Sequence, residues 1–546
     1  MDNQRLILLL VFFFSVFMLW DAWQKQNQPP AAPATVAARQ GVPAQPAEIP
    51  TPQSTAQSAA KLPAAAPAAS APTVAVRTDL FKVLISAQGG DLVRLELTQH
   101  RATEDTNKNF VLFDNGEQHI YEAQSGLIGE GLPNHKTLFQ LPGAEAELQN
   151  GQDTLRVRLV APPMPGGFKV TKVYTFHRGS YVIDVAYEIA NEGAAPFAAP
   201  AYFQTLRDGK PPTTDSRMVS TFTGAAVYTA QDKYQKMEFG DIAKDKAKHA
   251  QKADNGWIAV VQHYFVSAWL PAAGVEREYF TRKVGEDLFS VGVILPVTTV
   301  AAGATGQVGV QLYAGPQEQE NLAKIAPGLN LVVDYGWLTI IAAPLFWVLE
   351  MINRWVGNWG WAIIGLTVLL KLIFFPLSAA SYKSMAKMKL VTPKLARLKE
   401  LYPDDRARLN QEMMELYKRE KINPLGGCLP IVVQIPVFIA LYWVLLGTVE
   451  MRYAPWLGWI QDLSAKDPYF ILPLIMGATM LVQTKLNPPP PDPIQAKVML
   501  FMPVIFTGMF LFSPSGLVLY WTVNNLLSIA QQWQISRLIE GGKKAA

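Results

Sequence analysis

The sequence predicts a polytopic α-helical membrane protein with six spans, a large extracytoplasmic antiparallel β-sandwich domain and a cytoplasmic helical hairpin. Three observations predict it. Apolar runs close to the length that crosses a hydrocarbon core, about 20 residues, recur along the chain. Residues 74–313 alternate with the period-two pattern of half-buried strands. A basic segment, residues 381–421, lies between two apolar runs and fixes their orientation. Composition agrees: of 546 residues, 50% are hydrophobic and 17% charged, and mean hydropathy is +0.11. That is too apolar and too long for one compact soluble domain. A net charge of +4 gives no argument for nucleic acid, and no sequence-specific nucleic-acid binding is expected. Cys428 is the only cysteine, which excludes intramolecular disulfides and Cys-rich metal sites.

Leu6–Trp20 is the first apolar run. A cleaved signal peptide is the competing reading, but no small-x-small site follows, so residues 1–23 are expected to be an uncleaved anchor. Trp361–Leu377, Cys428–Thr448, Tyr469–Leu486, Val498–Ser513 and Gly516–Ile535 complete the six spans. Gly336–Ile352 is nearly long enough for a seventh. A seventh span would move the basic segment, with its eleven Lys and Arg, to the outside, against the charge rule. Trp337, Ile340, Ile341, Pro344, Leu345, Val348, Ile352 and Trp355 recur at helical spacing, with Glu350, Asn353 and Arg354 toward one end. Residues 331–357 are therefore expected to lie in the outer interface as an amphipathic helix. Both termini fall on the cytoplasmic side, the last beside Arg537, Lys543 and Lys544.

Residues 24–73 read as a Pro/Ala-rich tether: ten prolines occur between Pro29 and Pro72 without an aromatic residue, so no core can form there. Residues 74–330 read as the β sandwich. Leu155–Leu159, Val173–Phe176, Tyr181–Val185 and Val308–Leu312 alternate, and His177–Ser180 and Asn191–Gly193 supply turns. No metal spacing, nucleophile elbow or phosphate loop occurs in it, and its six histidines are scattered. Residues 380–424 read as the helical hairpin. Met385, Met388, Val391, Leu395 and Leu398 share one face, Leu409, Met413, Leu416 and Tyr417 another, and Tyr402–Asp405 makes the turn. Such a hairpin is either a solvated coiled coil or, through Met385, Met388, Met413 and Met414, an adaptable apolar surface held by its charge against anionic headgroups. Residues 428–546 hold spans three to six and a short basic tail.

Polar groups at membrane depth are costly and mark pathways. Lys371 follows Thr367 by one helical turn and precedes Ser378 by seven residues on the same face. Gln434 shares a stripe with Phe438 and Tyr442; Met476, Thr479 and Gln483 form another; Asn524, Ser528 and Gln531 a third, with Asn525 adjacent and Tyr520-Trp521 one turn earlier. Four polar faces suffice to wall a wet cavity. For each residue an ordinary role competes: Lys371 can snorkel to the cytoplasmic surface, and the amides can bond between helices. A secondary transporter or channel with a midplane polar site fits such a cavity too, although no internal repeat is visible.

Asn358-Trp359-Gly360, Ser384–Met388, Gln411–Met414, Asn423-Pro424-Leu425-Gly426-Gly427-Cys428, Asp467-Pro468-Tyr469, Phe501–Phe506 and Pro514-Ser515-Gly516-Leu517-Val518-Leu519-Tyr520 resemble the YidC/Oxa/Alb membrane protein insertases. The resemblance covers about residues 336–540, and the tether and β domain look like the long periplasmic insert of the Gram-negative YidC type. It implies a bacterial inner-membrane insertase and chaperone with no enzymatic chemistry and no cofactor. It also implies a hydrophilic groove open to cytoplasm and lipid, and partnership with nascent membrane proteins, the Sec translocon, translating ribosomes and the bilayer. By the same resemblance Lys371, Thr367, Gln434, Asn524 and Asn525 line the groove, and Phe438, Met476, Met509, Tyr520 and Trp521 form an apolar slide for the client. The family's bacterial pattern usually has Arg where this chain has Lys371, so the charge is kept and the planar five-donor fork is lost.

Overall fold

The computed structural model describes residues 71–544 except 104, 117–118, 144, 213–220, 297–298, 404, 421–428 and 488–492. The expected anchor and nearly all of the tether lie outside the described residues. From Thr73 the alternating pattern folds as read. One sheet has ten strands, in spatial order Lys252–Ala253, Arg277–Gly285, Leu288–Leu295, Ala201–Asp208, Ile120–Leu127, Asn109–Asn115, Leu92–Arg101, Phe81–Ser86, Thr73–Arg77 and Glu145–Glu147. The other has eight, in the order Lys233–Glu238, Gly224–Thr229, Trp257–Gln262, Phe265–Leu270, Thr305–Pro316, Val182–Asn191, Phe168–His177 and Thr154–Val160. The pairings are antiparallel with one correction to the sequence reading: Thr73–Arg77 and Glu145–Glu147 run parallel.

One apolar cluster fills the space between the sheets, with Val83, Leu95, Phe113, Val157, Phe176, Phe203, Ile258 and Leu312 almost completely buried. Polar stitches cross it. Tyr121 and Ser267 hydroxyls meet at 2.9 Å, and Trp269 Nε1 donates to Thr205 Oγ1 at 3.1 Å. A second cluster begins on the outer face of the eight-stranded sheet, at Trp257, Val266 and Tyr313. It continues through Leu322, Leu329 and Val332 into the helices. The boundary drawn at residue 330 is therefore a continuous apolar contact.

Eight helices follow among the described residues of this region: α1 Thr339–Val356, α2 Trp359–Ile373, α3 Phe375–Leu401, α4 Arg406–Arg419, α5 Leu429–Gly447, α6 Ile471–Leu486, α7 Pro493–Phe510 and α8 Ser515–Lys544. α1 ends at Gly357, whose φ of 71° is the left-handed cap that L-residues avoid, and whose N–H donates to Asn353 O. The stripe read for this helix is rotated. The buried face is Ala342, Leu345, Phe346 and Leu349, while Ile340, Trp347 and Trp355 are exposed. α1 is thus apolar both toward the protein and away from it. Among the described residues it is the single helix long and apolar enough to cross a membrane by length and composition.

Two expectations from the sequence change here. Span two does not run to Leu377. The helix breaks at Phe374 with a bend of 66° between α2 and α3, where Pro376 in the first turn of α3 lacks an N–H and restricts the residue before it. The fifth apolar run folds from Pro493 to Phe510 rather than from Val498 to Ser513. α6 and α7 are short, 16 and 18 residues, or about 24 and 27 Å. Gly477 lets them touch, since a Cβ there would lie 2.1 Å from Thr507 Oγ1. α3 and α4 pack through Val391, Leu395 and Tyr417, with Met388, Met413 and Leu416 beside them.

Candidate functional site

One end of the helical region is tightly capped. Asn358 Oδ1 accepts from Trp361 N at 3.2 Å and its Nδ2 donates to Pro455 O at 3.0 Å. The fully buried Asp467 accepts from Trp459 Nε1, Tyr469 N and Leu472 N. Ser515 Oγ donates to the carbonyls of Asp462 and Ala465. These side chains satisfy the first N–H groups of α2 and α6 and hold the start of α8. Twelve residues along α2 from Trp359, about 18 Å, lies Lys371.

Lys371 is 5% exposed. Its Nζ donates to Ser528 Oγ at 2.7 Å, and Ser528 Oγ donates in turn to Asn524 O at 2.7 Å. Among the described residues no carboxylate comes within ion-pair distance of it. A small pocket beside it is lined by Thr367, Leu370, Lys371, Phe374, Gln434, Val437, Tyr520 and Asn524. Four of the five residues expected to line a groove thus converge, from α2, α5 and α8.

Asn525 does not join them. One position further round the helix it points to α6, where its Nδ2 donates to Thr479 Oγ1 at 3.2 Å. Gln532 repeats the pattern on the same side, donating to Asn487 Oδ1 at 3.0 Å. The fourth polar stripe, on α6, is therefore used for bonds between helices, and three helices wall the pocket. Ser378 is buried beyond the break at Phe374, and the continuous face drawn through it does not exist. That break brings Tyr382 into hydrogen-bond reach of Ser528, a neighbour the sequence could not supply.

The residues expected to form an apolar slide divide as well. Phe438, Tyr520 and Trp521 are one aromatic cluster: Phe438 stacks on Tyr520 at 6.3 Å between centroids and meets Trp521 edge-on at 4.4 Å. Phe506 and Phe510, which the sequence reading passed over, extend it from α7 at 6.3 and 5.6 Å from Trp521. Their i, i+4 spacing beside Met509 was the available signal. Met509 is 45% exposed on the outer side of α7, whereas Met476 is completely buried in the helical core. Among the described residues Trp521 Nε1 and Gln531 Oε1 are buried without a hydrogen-bond partner. Such polar atoms call for water or a ligand group. Among the described residues no cluster of three or more His, Cys, Asp or Glu is placed to hold a metal ion.

Residues 73–348 match the family described as the YidC periplasmic domain, and residues 351–543 match that described as the 60Kd inner membrane protein. The chain is 64% identical over 552 residues to the membrane protein insertase YidC of Aromatoleum aromaticum, covering all of both chains. It is 60% identical over 550 residues to that of Dechloromonas aromatica, covering all of this chain and 99% of the relative. A crystal structure of an active YidC insertase with its first transmembrane domain resolved is 20% identical, covers 85% of this chain and 94% of its own, and superposes with a TM-score of 0.39. The chain belongs to the YidC family of bacterial inner-membrane protein insertases, with that family's large periplasmic β domain and helical C-terminal region.

Proposed function

We propose that the chain inserts membrane proteins through a hydrophilic groove centred on Lys371, open to cytoplasm and lipid and capped at its periplasmic end. The observation that carries this is the state of the lysine: buried, bonded to one serine hydroxyl, and without a carboxylate within ion-pair distance among the described residues. A buried cation without an acidic partner is a costly arrangement that an incoming anion would relieve. An acidic segment of the client enters beside Lys371, Thr367, Gln434 and Asn524. Attraction there is worth on the order of a few kcal/mol at an effective dielectric near 20. Its apolar stretch then leaves along Phe438, Tyr520 and Trp521 into lipid. The membrane potential adds about 2.3 kcal/mol per charge per 100 mV for an acidic tail moving outward. No covalent step or cofactor enters.

The orientation that goes with this has six spans, both termini and the α3–α4 hairpin in the cytoplasm, and α1 in the outer interface. Exposed Trp347 and Trp355 on α1 support an interfacial position, and the basic residues of α3 and α4 support a cytoplasmic one. Met414, exposed on the hairpin while Met388 and Met413 pack its seam, receives clients, and the Sec translocon and translating ribosomes are the partners upstream. The short α6 and α7 support a locally thinned bilayer, which lowers the barrier to a polar segment. Depleting the protein in its host tests the function. Small one- and two-span proteins should then remain uninserted; their normal insertion would contradict it.

A further inference from the structure

We propose that a basic cleft at the foot of the β domain binds the phosphate of an anionic phospholipid headgroup in the outer leaflet, a reading that rests on the orientation proposed above. The cleft, about 470 Å³, lies along the neighbouring strands Phe81–Ser86, Leu92–Arg101 and Asn109–Asn115 and the loop that follows Arg101. Four cations, Lys82, Arg94, Arg101 and Lys108, and one carboxylate, Glu96, line it, Glu96 opposite Lys82 in register. Two of the cations are already neutralised. Arg94 bonds Glu96 at 3.0 Å and Asp114 at 2.8 Å, and Lys108 meets Asp105 at 3.4 Å. The other two make no ion pair among the described residues. Arg101 donates to the neutral Asn109 Oδ1 at 3.4 Å. Lys82 and Arg101 are both exposed. A guanidinium fork and an ammonium across one cleft suit a phosphodiester, which offers one negative charge on two oxygens.

Position selects the source of that phosphate. Tyr453 OH donates to Ala102 O at 2.7 Å and Arg452 Nη2 to Thr103 Oγ1 at 2.8 Å, so the wall of the cleft is bonded to the segment just past the end of α5. Arg452 adds a third cation behind that wall, against the rings of Phe110, Tyr264 and Phe265. At this same end of the helices Trp361, Trp459 and Tyr469 are exposed, and Trp361 meets Trp456 edge-on at 6.0 Å. Exposed Trp and Tyr gathered at the ends of apolar helices mark the level of the headgroups. The cleft therefore opens where lipid phosphates are concentrated.

The test uses the full chain in nanodiscs of equal phosphatidylglycerol and phosphatidylcholine, each doped in turn with a photoactivatable headgroup analogue. Phosphatidylglycerol should label the peptide 94–111 in preference to phosphatidylcholine. Lys82→Gln and Arg101→Gln should each lower that label about fivefold, Arg101→Lys, which keeps the charge and loses the fork, should lower it less, and Lys136→Gln elsewhere on the domain should change nothing. Equal labelling of wild type and the double variant Lys82→Gln/Arg101→Gln would overturn the proposal. Displacement of the label by millimolar glycerol phosphate would overturn its lipid source in favour of a soluble phosphate. The orientation is checked separately. Lys136→Cys in a Cys428→Ser background should react with impermeant maleimide from the periplasmic side, and protection there would sink the orientation whatever the lipid result.

Discussion

Two lysines are buried among the described residues, Lys172 in the β domain and Lys371 in α2, and their surroundings differ in kind. Lys172 is completely enclosed and fully answered. Its Nζ donates to Gly89 O at 2.9 Å and Asp91 Oδ1 at 3.1 Å, and lies over the rings of Tyr174 and Tyr187. Burial lowers its pKa and raises that of Asp91 to about 6, the attraction between them opposing both shifts. Lys371 is nearly as buried, and among the described residues its ammonium bonds a single hydroxyl. A satisfied buried charge holds a fold in register; an unsatisfied one is available to something else. Burial alone does not separate structural from functional charge. The count of partners does.

The largest effect should come from leaving Lys172 as Lys371 is. Asp91→Asn removes its counter-charge inside the sandwich and should destabilise the β domain by about 3–5 kcal/mol, read as a lowered unfolding midpoint. Lys172→Met combined with Asp91→Leu should recover much of that loss. If Asp91→Asn melts with wild type, the contrast between the two lysines collapses.

A smaller effect concerns Glu122, buried beside Asp91 and bonded to Asn115 and Gln124 at 2.7 Å each. Burial, with the Asp91 charge, raises its pKa to about 8 from 4.5. Its folded pKa lies above the unfolded one, so its stabilising contribution is complete below about pH 4.5 and is lost as pH rises toward 8. His100, lowered to about 4 by burial and by Arg452, acts the other way only up to about pH 6.5. Glu450, raised by burial to about 8 at the end of α5, acts with Glu122. Between pH 6.5 and 8 stability should fall by about 1–2 kcal/mol for Glu122, and Glu122→Gln should flatten the slope. An unchanged slope in that variant would remove Glu122 from the account.

The smallest separates two neighbours on α8. Asn525 bonds Thr479 between helices, so Asn525→Ala should lower stability by about 0.6 kcal/mol and leave client selectivity untouched. Asn524→Ala should do the reverse, changing insertion of acidic-tailed clients with little change in melting. Matching behaviour of the two would mean that the pocket beside Lys371 is not the path.

Those neighbours also show where the sequence stops being legible. The β alternation and the polar faces that carry Thr367 with Lys371, Gln434 and Asn524 follow from local periodicity, and periodicity is written in the chain; that these faces meet was implied only by the family resemblance. Which of Asn524 and Asn525 faces the pocket depends on where α6 packs, a long-range fact. Met476 pointed inward for the same reason. The break at Phe374 was readable from Pro376 and was overridden by the apolar run that continues through it. Lys172 was hidden differently: in Lys169-Val170-Thr171-Lys172-Val173-Tyr174 it looks like a solvent-facing strand position, and only the opposing sheet with Asp91 makes it internal.

The central claim is that the unanswered charge of Lys371 attracts the client, and one assay reaches it directly. Two clients differing only in an acidic or a neutral translocated tail are inserted by reconstituted wild type, Lys371→Arg and Lys371→Ala. The account predicts near-equal insertion by wild type and Lys371→Arg. It predicts a loss in Lys371→Ala that is several-fold greater for the acidic tail, and that salt diminishes less than it would for a surface pair. Lys371→Ala inserting both clients as wild type does would contradict it, and would leave Lys371 a lysine that merely snorkels.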